Sequence, residues 1–325
     1  MSYLALLLAT IIETLLPEGL FDGTRRTLHR FNQELEIDLT ALGAPRFAHL
    51  QWWIPVMLWL LGAYFLHQVL WSMSPLVAGA FSTLVLLYGL RFRQLNDVLT
   101  STQLYLNQGD FFRARERIAV WLKEYDGTEI HLHRPEELVY HAVSHGVERA
   151  LRQYFALVFW FLTVPGPLGL LIYLLVHWSV VRERQVWESQ TFPHERLSLH
   201  EAWQSHRAKA MLSPRFVLFA MEWLPARLLA LTIGLLAQLD DAALAWRQAK
   251  THSRFSNRAP LTAVCFDAVG LGALPEVSVE PVEDRTEVSV QALQQFRQLM
   301  FKCAVAWMML ALLFALLGWL PGFNG

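Results

Sequence analysis

One helix-like stretch, YHAVSHGVERALRQY, spaces its ionisable side chains so that they share a face. His141, His145 and Glu148 stand at i, i+4 and i+7, which lie one above another on an α-helix. Imidazoles and a carboxylate on one face can bind a divalent cation, so these three residues form a candidate metal site. The alternative is a polar helix face at the membrane interface, because histidine pairs on helices are common and no fourth ligand is evident.

A second group of polar residues interrupts the apolar stretch FAMEWLPARLLALTIGLLA, where Glu222, Pro225 and Arg227 fall within six residues. Arginine cannot lose its proton, and a charge at membrane depth needs a partner. We therefore expect Arg227 to line a polar cavity, facing Glu148 or Glu13. A structural ion pair, or a side chain that reaches the interface, is the alternative.

Proline at position 225 has a further consequence for this stretch. It has no backbone N–H, so the carbonyl of Met221 one turn earlier loses its helical donor and could bind Arg227 or a ligand. We expect the helix to break at this proline.

The composition predicts the environment in which these residues lie. With 54 % hydrophobic and 17 % charged residues, and with 13 Trp and 20 Phe, the chain is too apolar for an ordinary soluble enzyme and suits a lipid bilayer. The net charge of −1 gives no basic field for a nucleic acid. Cys265 and Cys303 have no metal-ligand spacing and are predicted to be buried thiols. The fold class is therefore an all-α integral membrane protein, as a single polytopic domain over residues 1–325.

Six segments are predicted to lie in the membrane. The first is short, contains Glu13, and is expected to be a retained helix because it lacks the basic start of a signal peptide. The second and third form a hairpin, and the last has no charge. The fourth and fifth are expected to be broken by proline. Their ranges are 3–16, 52–71, 75–90, 154–178 (broken), 215–238 (broken) and 303–320.

The breaks bear on topology. Val164 to Gly169 contains two prolines and two glycines, which cannot continue a helix. Basic residues flank nearly every long connection. If both broken segments are re-entrant helical pairs, all four connections lie in the cytoplasm, as the positive-inside tendency favours. The alternative is two kinked helices that cross the membrane completely.

The connections are predicted to contain structure of their own. Residues 91–150 have helical periodicity around a turn at Asn107 to Asp110, and are expected to form a helical cytoplasmic insert. Residues 275–287 carry five acidic residues and few large apolar ones, which predicts an exposed linker.

With these segments placed, the chain resembles the CobD/CbiB and AmpE superfamily of bacterial inner-membrane proteins. Trp223 to Leu228, WLPARL, is similar to that superfamily's W-[IVL]-P-[AV]-R-L signature in a late membrane segment. Three weaker similarities extend over most of the chain. They are Glu13 in the first helix, the run Ala156 to Trp160 before the Pro/Gly break, and Trp246-Arg247 followed by Ser256-Asn257 and Gly270.

The resemblance implies a multi-pass protein of the bacterial inner membrane and two possible functions. CobD/CbiB proteins are adenosylcobinamide-phosphate synthases, which join a corrinoid carboxylate to an amine with ATP and Mg²⁺. Their E-S-V-A-E-N-x-x-D-G run falls here on Ser144 to Gln153, where only Glu148 remains. Their N-T-x-D-S-M motif falls on His177 to Arg182, without its Asn and Asp. Binding Mg-ATP needs several such ligands together.

AmpE, the branch associated with β-lactamase induction, keeps W-x-P-x-R and lacks the synthase motifs. It also has an acidic residue before the tryptophan, as Glu222 stands here. The sequence therefore favours an AmpE-like sensor or regulator, without catalysis, that binds a small anionic ligand or another membrane protein. The synthase, with Mg and ATP, is the alternative. The candidate cavity or ligand residues are Glu13, Glu148, Arg152, Glu222, Arg227 and Asn257.

Overall fold

The computed structural model describes residues 2–15, 52–126, 134–164, 166–190, 213–252, 257–271 and 282–317. All regular secondary structure in these ranges is helical, which confirms the all-α prediction for them. A π-helical turn, Leu151–Phe155, joins the sixth and seventh helices. The α-helices are α1 Ser2–Leu15, α2 Trp53–Met73, α3 Pro75–Gly89, α4 Phe92–Asn107, α5 Phe111–Asp126, α6 Pro135–Ala150, α7 Ala156–Thr163, α8 Leu168–Gln190, α9 Pro214–Leu236, α10 Leu239–His252, α11 Arg258–Ala268 and α12 Val282–Leu316.

Four helical stretches in the described ranges are long and apolar enough to cross a membrane. They are Trp53–Met73, Pro75–Asn107, Pro214–Leu236 and Val290–Leu316, and Tyr3–Leu15 and Leu168–Val181 are shorter apolar helices. A helix of 21 residues, such as α2, is about 31 Å long, which matches a hydrocarbon core of about 30 Å. By their length and apolar composition, these helices indicate a membrane protein.

The α2–α3 hairpin forms where the sequence predicts it. Ser74 has an extended backbone, with φ −166° and ψ 133°, and its hydroxyl accepts a hydrogen bond from the N–H of Leu76. Pro75 occupies the first turn of α3, where a missing N–H costs nothing. The cap and the proline together end one apolar helix and start the next without an exposed loop.

The interruption predicted at Val164 to Gly169 is confirmed. Helix α7 ends at Thr163 and α8 begins at Leu168. Gly166 has φ +69°, a left-handed conformation that favours glycine. Gly169 is required for a different reason, because a Cβ there would clash with the backbone carbonyl oxygen of Trp160.

The break predicted at Pro225 is wrong, because α9 continues through this proline as one helix. The freed carbonyl expected at Met221 is present, but its partner is neither Arg227 nor a ligand. The indole Nε1–H of Trp160 donates to it at 3.3 Å. A helix tolerates proline where another group satisfies the freed carbonyl, and here a tryptophan does so.

In its described residues, 91–126 and 134–150, the predicted insert is helical and consists of α4, α5 and α6. Gly109, in the predicted turn between α4 and α5, has φ +72°. The linker predicted at 275–287 is wrong at its end, because α12 begins at Val282; residues 275–281 lie outside the described ranges.

The chain divides into two compact units. The first comprises Met1–Leu90, Leu157–Met221 and Leu317–Gly325; the second comprises Arg91–Ala156 and Glu222–Leu316. In the first unit, α3 packs against α1, α2 and α8. In the second, α4, α5, α6, α11 and α12 surround an apolar core. Gly146 of α6 lies so close to α12 that a Cβ would be 2.8 Å from the Phe296 ring.

Candidate functional site

The candidate site lies in the second unit and starts from the π-helical turn after α6. The turn contains Arg152, and the side chains around it, Leu151, Gln153, Tyr154 and Phe155, are buried. One extra residue in a helical turn changes which way the following side chains point, and such turns are frequent at functional sites. Arg152 therefore projects from a locally unusual backbone that its neighbours hold in place.

Arg152 binds two glutamates from different helices. Its Nε lies 2.6 Å from Oε1 of Glu222 in α9, and its Nη2 donates to Oε2 of the same carboxylate at 3.4 Å. Its Nη1 lies 2.6 Å from Oε1 of Glu148 in α6. One guanidinium thus bridges α6 and α9, with a fork on Glu222.

Arg258, at the start of α11, completes the arrangement. Its Nη1 lies 3.0 Å from the second oxygen of Glu148, and its Nη2 donates to the hydroxyl of Ser144 at 3.3 Å. The same Nη2 lies 3.2 Å from Nε2 of His145. We call Glu148, Arg152, Glu222 and Arg258 the charge network.

The charge network is buried and balanced. The side chains of Glu222 and Glu148 are 6 % and 10 % exposed, and those of Arg152 and Arg258 are 21 % and 38 % exposed. Two carboxylates face two guanidinium groups, so the charges cancel. Buried charges are tolerated when they are paired and hydrogen-bonded. The network can hold α6, α9 and α11 in register. Arg258 is its most solvent-exposed member.

The metal site proposed at His141, His145 and Glu148 is not formed. Among the described residues, no group of three or more His, Cys, Asp or Glu side chains is arranged to hold a metal ion. The two oxygens of Glu148 are bound by Arg152 and Arg258. The spacing put these residues on one face correctly, but arginines supply the positive charge that a metal would have supplied.

The same residues do not fit Mg-ATP. Mg²⁺ needs oxygen ligands that are free to coordinate it. Glu148 is the acidic residue that the resemblance to the synthases would assign to Mg²⁺, and both its oxygens are bound by arginines.

Arg227 lies outside the charge network, contrary to the expectation that it faces Glu148 or Glu13. Its Nη1 donates to the carbonyl of Trp223 at 2.8 Å, and its guanidinium carbon lies 3.7 Å from the centre of the Trp223 ring. The ring of Trp246 in α10 is 5.5 Å away. We call these three residues the Arg227–tryptophan cluster. Glu13 lies in α1 of the other unit.

Sequence reasoning missed two arginines of this region. Arg258 follows Asn257, a predicted site residue that is buried just before α11. Its position directly after Ser256-Asn257, which the resemblance singles out, was the available signal. Arg149 is 3 % exposed, donates to the carbonyl of Trp121 and lies over that ring at 3.8 Å. Nothing in the local sequence distinguishes Arg149 from a surface arginine.

Two further titratable groups of the second unit are perturbed by their surroundings. Burial, then His145 and Arg258, lower the pKa of His141, while Glu137 opposes the shift. Burial, and then Cys303, raise the pKa of Cys265. Cys265 and Cys303 are both buried free thiols, as predicted.

Comparison with known proteins identifies no relative from which a function could be taken. No protein-family model matches the chain. No curated protein and no solved structure matches it.

Proposed function

We propose that this chain is a membrane sensor or regulatory protein of the AmpE-like type, built on a CobD/CbiB-like scaffold whose synthase site is degenerate. One observation carries the proposal. Arginines engage both oxygens of Glu148, where the synthase chemistry would need a free acidic ligand, and both oxygens of Glu222, which the resemblance assigns to the AmpE-like branch. A closed network of this kind suits holding and switching helices better than catalysis.

The charge network offers a physical means of signalling. It connects the π-helical turn after α6 with α9 and α11 through hydrogen bonds of 2.6 to 3.4 Å. A small anion that competes with Glu148 for Arg258 would favour a state in which α11 is released from α6. A ligand shifts such an equilibrium only by its difference in affinity for the two states. A second membrane protein that contacts α11 would act on the same equilibrium.

Complementation separates the regulator from the synthase. The chain is expressed in a cobalamin auxotroph that lacks its synthase, and its amount in the membrane is checked. We expect no growth without added cobinamide, since Glu148 is not free to bind Mg²⁺. Growth at a normal expression level would overturn the proposal and favour the synthase.

A positive readout tests the regulator itself. In a host that lacks AmpE and carries an inducible β-lactamase, we expect the chain to change the induced enzyme level. Glu148→Gln weakens the salt bridges to Arg152 and Arg258, and we expect it to lose the effect, while Glu116→Gln on the exposed side of α5 keeps it. An unchanged β-lactamase level with the well-expressed wild type would contradict a regulatory role of this kind.

The proposal includes a topology with two re-entrant helical pairs and cytoplasmic connections. For the first pair, the support lies around Gly89, at the end of α3. A Cβ on it would lie 3.3 Å from Leu157 of α7 and 3.4 Å from Leu174 of α8, so α8 returns towards the level at which α7 starts. The turn at Gly166, between α7 and α8, lies away from Gly89 and against His67 of α2.

The second pair consists of α9 and α10, with its turn at residues 237–238 rather than at Pro225. Gly234 of α9 lies against Ala242 of α10, and Arg227, earlier in α9, lies near Trp246, later in α10. The two helices are therefore antiparallel. Arg247 and Lys250 lie in the half of α10 that is farther from the turn, which favours a return of that end of the helix to the membrane surface.

Cysteine labelling in intact cells tests this topology. The two native cysteines are buried and give little background. We expect Arg113→Cys, Arg207→Cys and Lys250→Cys to be protected from a membrane-impermeant maleimide until the cells are opened. Labelling of any of the three from outside would exclude the re-entrant arrangement and support two complete crossings.

A further inference from the structure

The Arg227–tryptophan cluster occupies an exposed face of the α9–α10 hairpin, within the second unit. Trp223 is 46 % exposed, and Arg227 and Trp246 are half-buried. One N–H of Arg227 is used by the carbonyl of Trp223. A guanidinium has five N–H donors. Within the part of the chain that the structure describes, the other four have no hydrogen-bond partner and no carboxylate pairs with this arginine.

The tryptophan rings hold the guanidinium as a fixed fork. The Trp223 ring at 3.7 Å and the Trp246 ring at 5.5 Å are both within the range of a cation–π interaction. The bond to the Trp223 carbonyl fixes one end of the group. A planar fork held in this way matches the oxygens of a phosphate.

The surroundings of the cluster are basic on one side; on the other they are mainly apolar, with the exposed Asp240 and Asp241 next to the turn. Arg247 and Lys250, exposed in the second half of α10, add positive charge beyond Trp246. Towards the turn of the hairpin, the described leucines with the most exposed side chains are Leu231, Leu235, Leu239 and Leu244, between 47 % and 67 % exposed. A charged headgroup region beside an apolar surface is the pattern of a phospholipid, and tryptophan is enriched at that depth of a bilayer.

We propose that the Arg227–tryptophan cluster binds the headgroup phosphate of an anionic phospholipid, with the leucines of the α9–α10 hairpin against its acyl chains. Charge complementarity carries the choice of occupant. An arginine that faces hydrocarbon without an anionic partner is costly. The carboxylates of the charge network are already bound to Arg152 and Arg258, so they do not pair with Arg227. A lipid phosphate would supply the missing anion. The site is independent of any ligand of the charge network and of the regulatory role.

Lipid binding to the purified full chain tests the proposal. Native mass spectrometry in detergent measures how much phosphatidylglycerol or phosphatidylcholine remains bound. We expect phosphatidylglycerol to bind more tightly, and Arg227→Gln to weaken it about fivefold, the effect of one basic residue at a lipid surface. Arg227→Lys should weaken it less, because it keeps the charge and loses the fork. Arg113→Gln, at an exposed arginine of α5, is the matched control and should bind as the wild type does.

Several outcomes would overturn the proposal. They are equal binding of the two lipids, unchanged phosphatidylglycerol binding in Arg227→Gln, and displacement of the lipid by millimolar inorganic phosphate, which would indicate a site for the free anion. An Arg227-dependent dimer without bound lipid would assign the face to a second copy. Should Arg227→Gln not fold, Trp246→Leu keeps the charge and removes one ring, and phosphatidylglycerol binding equal to the wild type would exclude the cluster.

Discussion

Two arginine clusters in the same unit hold positive charge in different ways. The charge network pairs Arg152 and Arg258 with Glu148 and Glu222 at 2.6 to 3.0 Å. In the Arg227–tryptophan cluster the arginine has aromatic rings and a backbone carbonyl, and no carboxylate among the described residues. The network is closed within the protein, whereas the cluster leaves most of its donors available. Loss of a single partner should therefore destabilise the charge network strongly and the Arg227–tryptophan cluster only weakly.

The largest effect that this comparison predicts follows the loss of one charge from the network. Glu222→Gln leaves the single carboxylate of Glu148 for two guanidinium groups, and an uncompensated buried charge of this kind costs up to about 3 to 5 kcal/mol. We expect the unfolding midpoint in a denaturing detergent to fall accordingly. The double variant Arg152→Met with Glu222→Leu should recover part of the loss, because Glu148 retains Arg258. A double variant no more stable than the single one would contradict the closed network.

Close helix packing behind the network predicts the next effect. In Gly146→Ala the new Cβ would lie 2.8 Å from the buried Phe296 ring, and overpacking of this kind costs about 1 to 3 kcal/mol. Gly62 in α2 is the matched control, because a Cβ there meets nothing within 4 Å. Thermal unfolding of both variants measures the difference. Equal stability of Gly146→Ala and the wild type would show that α6 and α12 are less tightly packed than the structure has them.

The sequence predicted the helices better than the partners of their polar side chains. Apolar length fixed α2 and α3, and the prolines and glycines around Gly166 fixed the interruption, because these signals are local. The continuity of α9 was missed because the donor that satisfies Met221, the Trp160 indole, is distant in sequence. The sequence marks Glu148 and Glu222 as candidate cavity residues, but which arginine reaches them depends on how α6, α9 and α11 pack.

Arg227 should matter much less for stability than Glu222. A cation–π interaction at an exposed site contributes about 0.5 to 1 kcal/mol, so Arg227→Ala should lower the free energy of unfolding in detergent by that amount at most. Measuring Arg227→Ala and Glu222→Gln in the same detergent, without added lipid, tests the contrast directly. A loss as large as that of Glu222→Gln would mean that Arg227 is a structural residue, and the distinction between the two clusters would fail.

The smallest effect concerns pH, at the edge of the charge network. Burial, His145 and Arg258 lower the pKa of His141 below its ordinary value of 6.5, against the opposing influence of Glu137. Protonation of His141 is thus disfavoured in the folded state, so below about pH 6.5 the unfolded chain binds more protons than the folded one. Stability is retained above this pH and is lost progressively as the pH falls through it.

Replacing His141 with Asn should flatten the dependence of the unfolding midpoint on pH between about 6.5 and 5, the range in which an ordinary histidine takes up its proton. Glu116→Gln, which changes an exposed carboxylate of α5, should leave the slope as it is in the wild type. An unchanged slope in the His141→Asn variant would show that protonation of this histidine is not linked to folding.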